Sequence, residues 1–310
     1  MNDKQEQKSI ASFDEVRLLI DELPGPDIES RSAVQERESQ LTKPQGALGK
    51  LETIVEWLAS WQGQYPPHIN HPRTAVFAAN HGIAKLGVSA FPSSVTAQMV
   101  QNFISGGAAV NQLCRVFDSD LRVYELGLDQ PTRDFTEEPA MTEAECAHAM
   151  AYGMMAVEPG LDILCLGEMG IGNTTSASAI SLALFGGNSE EWVGNGTGIS
   201  AETRNKKVKI IEQSCELHSN IGGDPLHIFA ALGGLELAAI AGAILAARLA
   251  RLPVVLDGFA CSVAAAVLFA IKPDTIEHCL VSHCSAEPGH RKLLQHIDKE
   301  PLLDLGMRLG

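Results

Sequence analysis

Basic residues are scarce in this sequence. Its 310 residues carry 23 Lys and Arg against 38 Asp and Glu, a formal net charge of -15 at pH 7. A chain so acidic has no basic stripe with which to neutralise a run of phosphates, which excludes nucleic acid as a partner. A nucleotide ligand is not excluded, since it needs only one or two local cations. Aromatic residues make up 5% of the chain against 45% apolar residues in all, so the core is expected to be built from Ala, Val, Leu and Ile. The seven cysteines are scattered without a CxxC pair and read as reduced thiols of a cytoplasmic protein. The opening MNDKQEQKSI lacks the apolar core of a signal peptide. The most apolar stretch, residues 228–250, contains Glu236 and Arg248, which favours a buried helix over a membrane span.

What is present is an alternation of helical and strand patterns. Residues 1–30 give a polar start and a short amphipathic helix over 13–22, ended by Pro24-Gly25-Pro26. A longer helical pattern over 31–62 is interrupted by Lys43-Pro44-Gln45-Gly46. From Arg73 the period changes. Strands are expected in TAVFAAN, in LRVYELGL (121–128), at 161–166, in LPVVLDGF (252–259) and in HCLVSHCSAE (278–287). Helices fall between them, including 201–218 and a small-residue helix over 229–249. Such alternation predicts an α/β fold with a mainly parallel, doubly wound sheet. Ligands of such sheets bind beyond the carboxyl ends of the strands. Those ends carry Asn80-His81, Glu125, Glu168, Asp257 and the run 282–287, which points to one shared crevice.

The stretch that organises the chain is LDILCLGEMGIGNTT, residues 161–175. A buried strand breaks into a loop with glycines at 167, 170 and 172, and a small-residue helix follows, entered through an Asn or Thr cap. Free N–H groups and the helix dipole at such a junction hold a phosphate. Glu168 inside the loop would repel a phosphate bound beside it. A divided site follows: phosphate towards the helix start, and a hydroxyl-bearing or cationic group beside Glu168. A plain Gly-rich turn is the competing account.

Other motifs divide between functional and ordinary readings. Lys206, Lys207 and Lys209 follow the GNGTG loop. Solvated side chains explain two of them, and the third supplies the cation a phosphate needs. Asp257 is suited to a ribose diol or to capping the next helix. In HCSAEPGH, His283, Cys284 and His290 fit no closed zinc pattern, and Ser285 has no nucleophile-elbow context. Ser285 with the Gly289 backbone is better suited to a phosphate or carboxylate. No metal is expected.

The runs LTKPQGALGKLE, NHGIAKLGVSAFPSSVTAQMV, GEMGIGNTTSASAI, GNGTG, LGGLELAAIAGAIL, VVLDGF, SHCSAEPGH and PLLDLGMRLG occur in this order from residue 41 onwards. Together they resemble the nicotinate-nucleotide–dimethylbenzimidazole phosphoribosyltransferases, which make the lower-ligand nucleotide of cobalamin. The resemblance implies transfer of phosphoribose from nicotinate mononucleotide to 5,6-dimethylbenzimidazole or a related base. The products are α-ribazole 5′-phosphate and nicotinate, with inversion at the anomeric carbon and no cofactor. It also implies a homodimer with a Rossmann-like large domain over 73–290. A small helical domain would combine residues 1–65 with a tail, 291–310. Carried over by motif, Glu168, Gly170, Gly196, Gly198, Lys207, Asp257 and Ser285 surround the nucleotide, with Lys207 and Ser285 at its phosphate. Phe91, Gln98 and Met169 line a flat pocket for the benzimidazole.

Three departures accompany the resemblance. Asn80 and Glu125 stand where the family usually has Asp. The family also continues its RLG with a general-base Glu, whereas this sequence ends at Gly310. Either the chain continues past Gly310 to that Glu, or the catalytic carboxylate comes from elsewhere, with Glu168 and Glu287 the nearby substitutes. The alternative is a catalytically weak nucleotide-binding homologue. A dinucleotide dehydrogenase fits less well, because GEMGIGNTT lacks the GxGxxG spacing and no acidic ribose residue ends the next strand.

Overall fold

Among the residues described by the computed structural model (11–194, 196 and 198–308), six strands form one all-parallel sheet. They are β1 (Pro72–Ala78), β2 (Asp120–Glu125), β3 (Ile163–Met169), β4 (Val254–Leu256), β5 (Cys279–His283) and β6 (Pro301–Leu303), in the order β2-β1-β3-β4-β5-β6. The polar start over 1–10, Asn195 and Thr197 of the GNGTG loop, and the end at Gly310 lie outside the described residues. After β1 the chain moves to one side to make β2, then returns to the other side for β3. The crevice between the ends of β1 and β3 is thus the topological switch point, where open α/β sheets bind ligands.

β1 and β3 are covered on both faces and so read as near-continuous apolar runs. β6 is a strand within the expected tail, 291–310. Three residues opening with Pro carry too little period-2 pattern to declare themselves. The expected single helix over 229–249 is two helices, Pro225–Leu232 and Leu235–Leu249. Gly233 and Gly234 hold extended backbone between them, and a Cβ at Gly233 would lie 2.3 Å from Phe229 O. Among the described residues no helix is long and apolar enough to cross a membrane.

Small residues let two helices meet backbone to backbone. A Cβ at Gly153, in the helix Glu143–Met154, would come within 1.7 Å of Ala239 O. One at Gly242, in Leu235–Leu249, would come within 1.8 Å of Met150 O. This reciprocal contact fixes the axial position of Leu235–Leu249, whose first turn carries Glu236. Phe13, Val16, Leu19 and Ile20 of the first helix, Phe13–Asp21, join the same core. The helix Lys50–Gln62 is tied on by Lys50 Nζ donating to Pro301 O (2.6 Å) and Gln62 Nε2 to Asp162 O (3.0 Å).

Candidate active site

Parallel strands end together. Phe77 pairs with Glu168 and Ala78 with Met169, while Asp257 N–H donates to Leu166 O on β3 (3.0 Å). Glu168, Met169 and Gly170 thus stand at the carboxyl end of β3, flanked by Asn80-His81 after β1 and Asp257 after β4. Glu125 ends the edge strand β2, and Ser285 follows β5. Four buried polar atoms at these strand ends and at the helix starts and loops around them lack a hydrogen-bond partner: Asn80 Oδ1, Thr175 Oγ1, Glu236 Oε2 and Glu287 Oε2.

Glu168 is half-buried, and its Oε2 accepts a hydrogen bond from Asn173 Nδ2. Burial, then the nearby Glu236 and Asp257 carboxylates, raise its carboxyl to about 8, against the opposing pull of the Asn173 amide. The helix Asn173–Phe185 begins at Gly172, whose φ of 100° suits glycine. No side chain caps this helix, which differs from the Asn or Thr cap expected, because the Asn173 side chain is turned back to Glu168. Thr96 Oγ1 accepts from Ile171 N–H (3.2 Å). That bond anchors the helix Ser94–Ile104, which carries Gln98, to the Gly-rich loop. Gln98 and Phe91 are both exposed, and Met169 is half-buried at the end of β3.

Of the three lysines on the helix Ala201–Leu217, one turns inward. Lys207 is 1% exposed and donates to Thr174 Oγ1 at 2.9 Å. Lys206 donates to Leu86 O (2.5 Å), and Lys209 is exposed. Desolvation lowers the Lys207 ammonium to about 8 against the opposing pull of Glu287. An ammonium has three donors, and a buried one is costly unless further partners arrive. Gly196, with φ of 49°, sits beside Thr174, and its N–H donates to Glu287 Oε1 (2.7 Å). Gly198 has φ of 102°.

Asp257 precedes the helix Gly258–Ile271 yet makes no side-chain cap bond, so the capping account of this residue fails. Its Oδ1 faces His283 Nδ1 at 3.3 Å. Desolvation raises its carboxyl, and His283 pulls it back. Ser285 spends its N–H on His290 Nδ1 (2.9 Å), while its Oγ accepts from Glu287 N–H (3.2 Å). The Ser285 backbone is therefore not free to bind an anion, and its hydroxyl proton is the donor left. Burial holds His290 down to about 3, as a neutral ring that Ser262 also meets (3.1 Å). Among the described residues no three His, Cys, Asp or Glu side chains are placed to hold a metal ion.

The Asn173–Glu168, Thr174–Lys207 and His81–Glu236 contacts were not apparent from the sequence. The third joins residues 155 positions apart, and the isolated Glu in an apolar run was its only signal. The arrangement offers a cation at a helix start and carboxylates at the ends of β3 and β4.

Residues 23–310 match the DBI_PRT family model, described as phosphoribosyltransferase. The nicotinate-nucleotide–dimethylbenzimidazole phosphoribosyltransferases of Brucella anthropi and Brucella canis are each 57% identical to this chain over 298 residues. The match covers 96% of this chain and 88% of each relative. The crystal structure of CobT from Thermus thermophilus superposes with a TM-score of 0.85 at 38% identity, covering 91% of this chain and 90% of that one. A match that runs over nearly the whole sequence, carried on the same fold, makes this chain a member of the DBI_PRT phosphoribosyltransferase family.

Proposed function

We propose that this chain transfers the phosphoribosyl group of nicotinate mononucleotide to 5,6-dimethylbenzimidazole or a related base in the cytoplasm. The observation that carries the reading is the division of charge at the switch point. The buried Lys207 stands at the start of Asn173–Phe185, and the Glu168 and Asp257 carboxylates stand at strand ends. The Brucella relatives, through the reaction in their name, support the same substrates.

In this reading Lys207, the unspent N–H groups of that helix and the Ser285 hydroxyl take the phosphate, with Gly196 and Gly198 shaping the loop beside it. Asp257 takes the ribose hydroxyls. Gly170 lets the loop pass close to the neighbouring strand end, and Phe91, Gln98 and Met169 hold the benzimidazole. The C–N bond to nicotinate breaks with its electron pair going to the pyridine nitrogen, which leaves a cationic sugar that Glu168 and Asp257 stabilise. The benzimidazole nitrogen attacks from the opposite face, and its second nitrogen gives up a proton, which Glu168 accepts. The products are α-ribazole 5′-phosphate, with inverted anomeric carbon, and nicotinate. Arrival of the substrate's positive pyridinium lowers the pKa of a carboxyl near 8 and readies it as the base.

Separation of nicotinate and α-ribazole phosphate by HPLC after incubation with both substrates tests the reaction. Product formation by the unmodified chain, and its loss in Glu168→Gln, is the expected result. Folded protein that binds nicotinate mononucleotide without releasing nicotinate would leave a nucleotide-binding homologue instead. A homodimer belongs to the same reading, supported by the exposed apolar side chains of Ile104, Leu113, Val116 and Phe117 beside the β2 edge.

A further inference from the structure

Glu287 is 7% exposed and immediately precedes the helix Pro288–His296, yet its side chain makes no cap bond to that helix. It turns away instead, and its Oε1 accepts a hydrogen bond from Gly196 N–H at 2.7 Å. The carboxylate lies against the backbone of Gly194, where an added Cβ would stand 1.9 Å from Oε2 and 2.8 Å from Oε1. The φ of Gly194 is outside the left-handed region, so the carboxylate, and not the local dihedral, demands glycine there. Oε2 is buried and has no hydrogen-bond partner. A buried carboxylate with one donor is costly, and a neutral side chain would cover the same backbone without that cost.

Its neighbours supply a reason. A Cβ at Gly289 would lie 2.8 Å from Trp192 O, so the first turn of Pro288–His296 is pressed on the segment that leads to Gly194. Trp192 O also accepts from Ser178 Oγ (2.7 Å), and Val193 O accepts from Arg204 Nε (3.0 Å). Neighbouring helices thus hold the backbone as far as Val193. Beyond it, among the described residues, Glu287 is the side chain that holds Gly196. A Cβ at Gly196 would lie 3.8 Å from Thr174 Oγ1, the atom to which Lys207 donates. The Glu287 N–H meanwhile donates to Ser285 Oγ (3.2 Å), which leaves the hydroxyl proton for a ligand. One residue therefore ties together the Gly196 turn and the Ser285 hydroxyl.

We infer that Glu287 is a positioning residue for phosphate binding, a latch whose carboxylate fixes the backbone at Gly196 beside Thr174 and Lys207 before the nucleotide arrives. The inference rests on the reading that the phosphate of nicotinate mononucleotide sits at Lys207. With Oε1 spent on Gly196 and Oε2 shut in against Gly194, the carboxylate is not placed to take a proton from a substrate. Its effect falls on how well the phosphate is held.

The test is equilibrium binding, in the full chain, of two ligands that differ only in the phosphate: nicotinate mononucleotide and nicotinate riboside. Glu287→Ala is expected to weaken the nucleotide by roughly tenfold or more, while the riboside moves by less than about threefold. Glu287→Gln keeps an acceptor for Gly196 N–H and is expected to hold the nucleotide within about threefold of the unmodified chain. Gly194→Ala dislodges the carboxylate from the other side and should reproduce the selective loss, which keeps the test open if Glu287→Ala does not fold. Equal weakening of both ligands overturns the inference, because a merely structural role predicts it. Tighter nucleotide binding in both Glu287 variants overturns it as well, since the carboxylate then acts only as a repelling charge. So does a Gln variant as weak as the Ala variant. Lys207→Met separates the two claims. If it weakens both ligands alike, the phosphate does not sit at Lys207 and the underlying reading falls. If it weakens the nucleotide selectively while the Glu287 variants do not, only the latch falls.

Discussion

A carboxyl held near pH 8 changes its charge within the range in which an enzyme works. Glu168 is protonated in the free protein below that value, so kcat/KM is expected to rise as pH approaches 8. The limb of kcat lies lower, because kcat reports the complex, in which the bound pyridinium favours the carboxylate. Rate measurements from pH 5.5 to 9.5 check this. Glu168→Gln should lower kcat by roughly 10²–10⁴. Stability moves with the opposite sense. A Glu raised from 4.5 to about 8 makes the folded state bind more protons than the unfolded one between those values, so this group's contribution falls as pH rises across that window.

Lys207 gives the converse. Its ammonium falls from 10.5 to about 8, so below about 8 the buried charge weighs fully against folding, and the penalty fades as pH rises towards 10.5. Lys207→Met should therefore melt higher than the unmodified chain at pH 7 without ligand. The same variant should weaken nicotinate mononucleotide binding by roughly 10–100-fold, the loss of a charge-assisted hydrogen bond. Scanning calorimetry and equilibrium binding on one variant check both halves. The sequence offers three lysines within four positions and cannot rank them. The helical turn that buries Lys207 while leaving Lys209 exposed makes the choice.

At the scale of elements, the contact of Glu143–Met154 with Leu235–Leu249 sets where the first turn of the second helix lies, and hence where Glu236 meets His81. Gly153→Ala would drive a Cβ into the Ala239 carbonyl and should cost ~1–3 kcal/mol or more, read as a lower midpoint in urea. Because the shift is transmitted along the helix, the residual folded protein should also lose activity. Legibility here was uneven. Strand, Gly-rich loop and helix were readable around Glu168, since that change of period is local. The break at Gly233-Gly234 was not, because the run around it is apolar on every side and offers no change of period. The His81–Glu236 contact has no local signal at all. It exists only because the turn after β1 and the start of a helix from the second half of the chain pack on the same loop.

For the molecule as a whole, alternation of elements predicted a parallel sheet, and the sheet is all parallel. Strand order was not readable, because nothing in β2 announces that it lies outside β1 rather than beyond β3. The crevice owes its position to that order. The apolar patch of Ile104, Leu113, Val116 and Phe117 is the surface on which a second copy should seat. Val116→Asp with Phe117→Asp is expected to convert a dimer to a monomer in sedimentation velocity, with a far-UV CD spectrum unchanged. The two margins of the sheet bear on the same question. β2 carries the charged pair Asp120 and Arg122, and β6 is three residues long and opens with Pro301. Both are features that blunt strand-to-strand recruitment. Both edges are therefore poor templates for fibrous growth, which leaves side chains on the helices as the surface expected to meet a second copy.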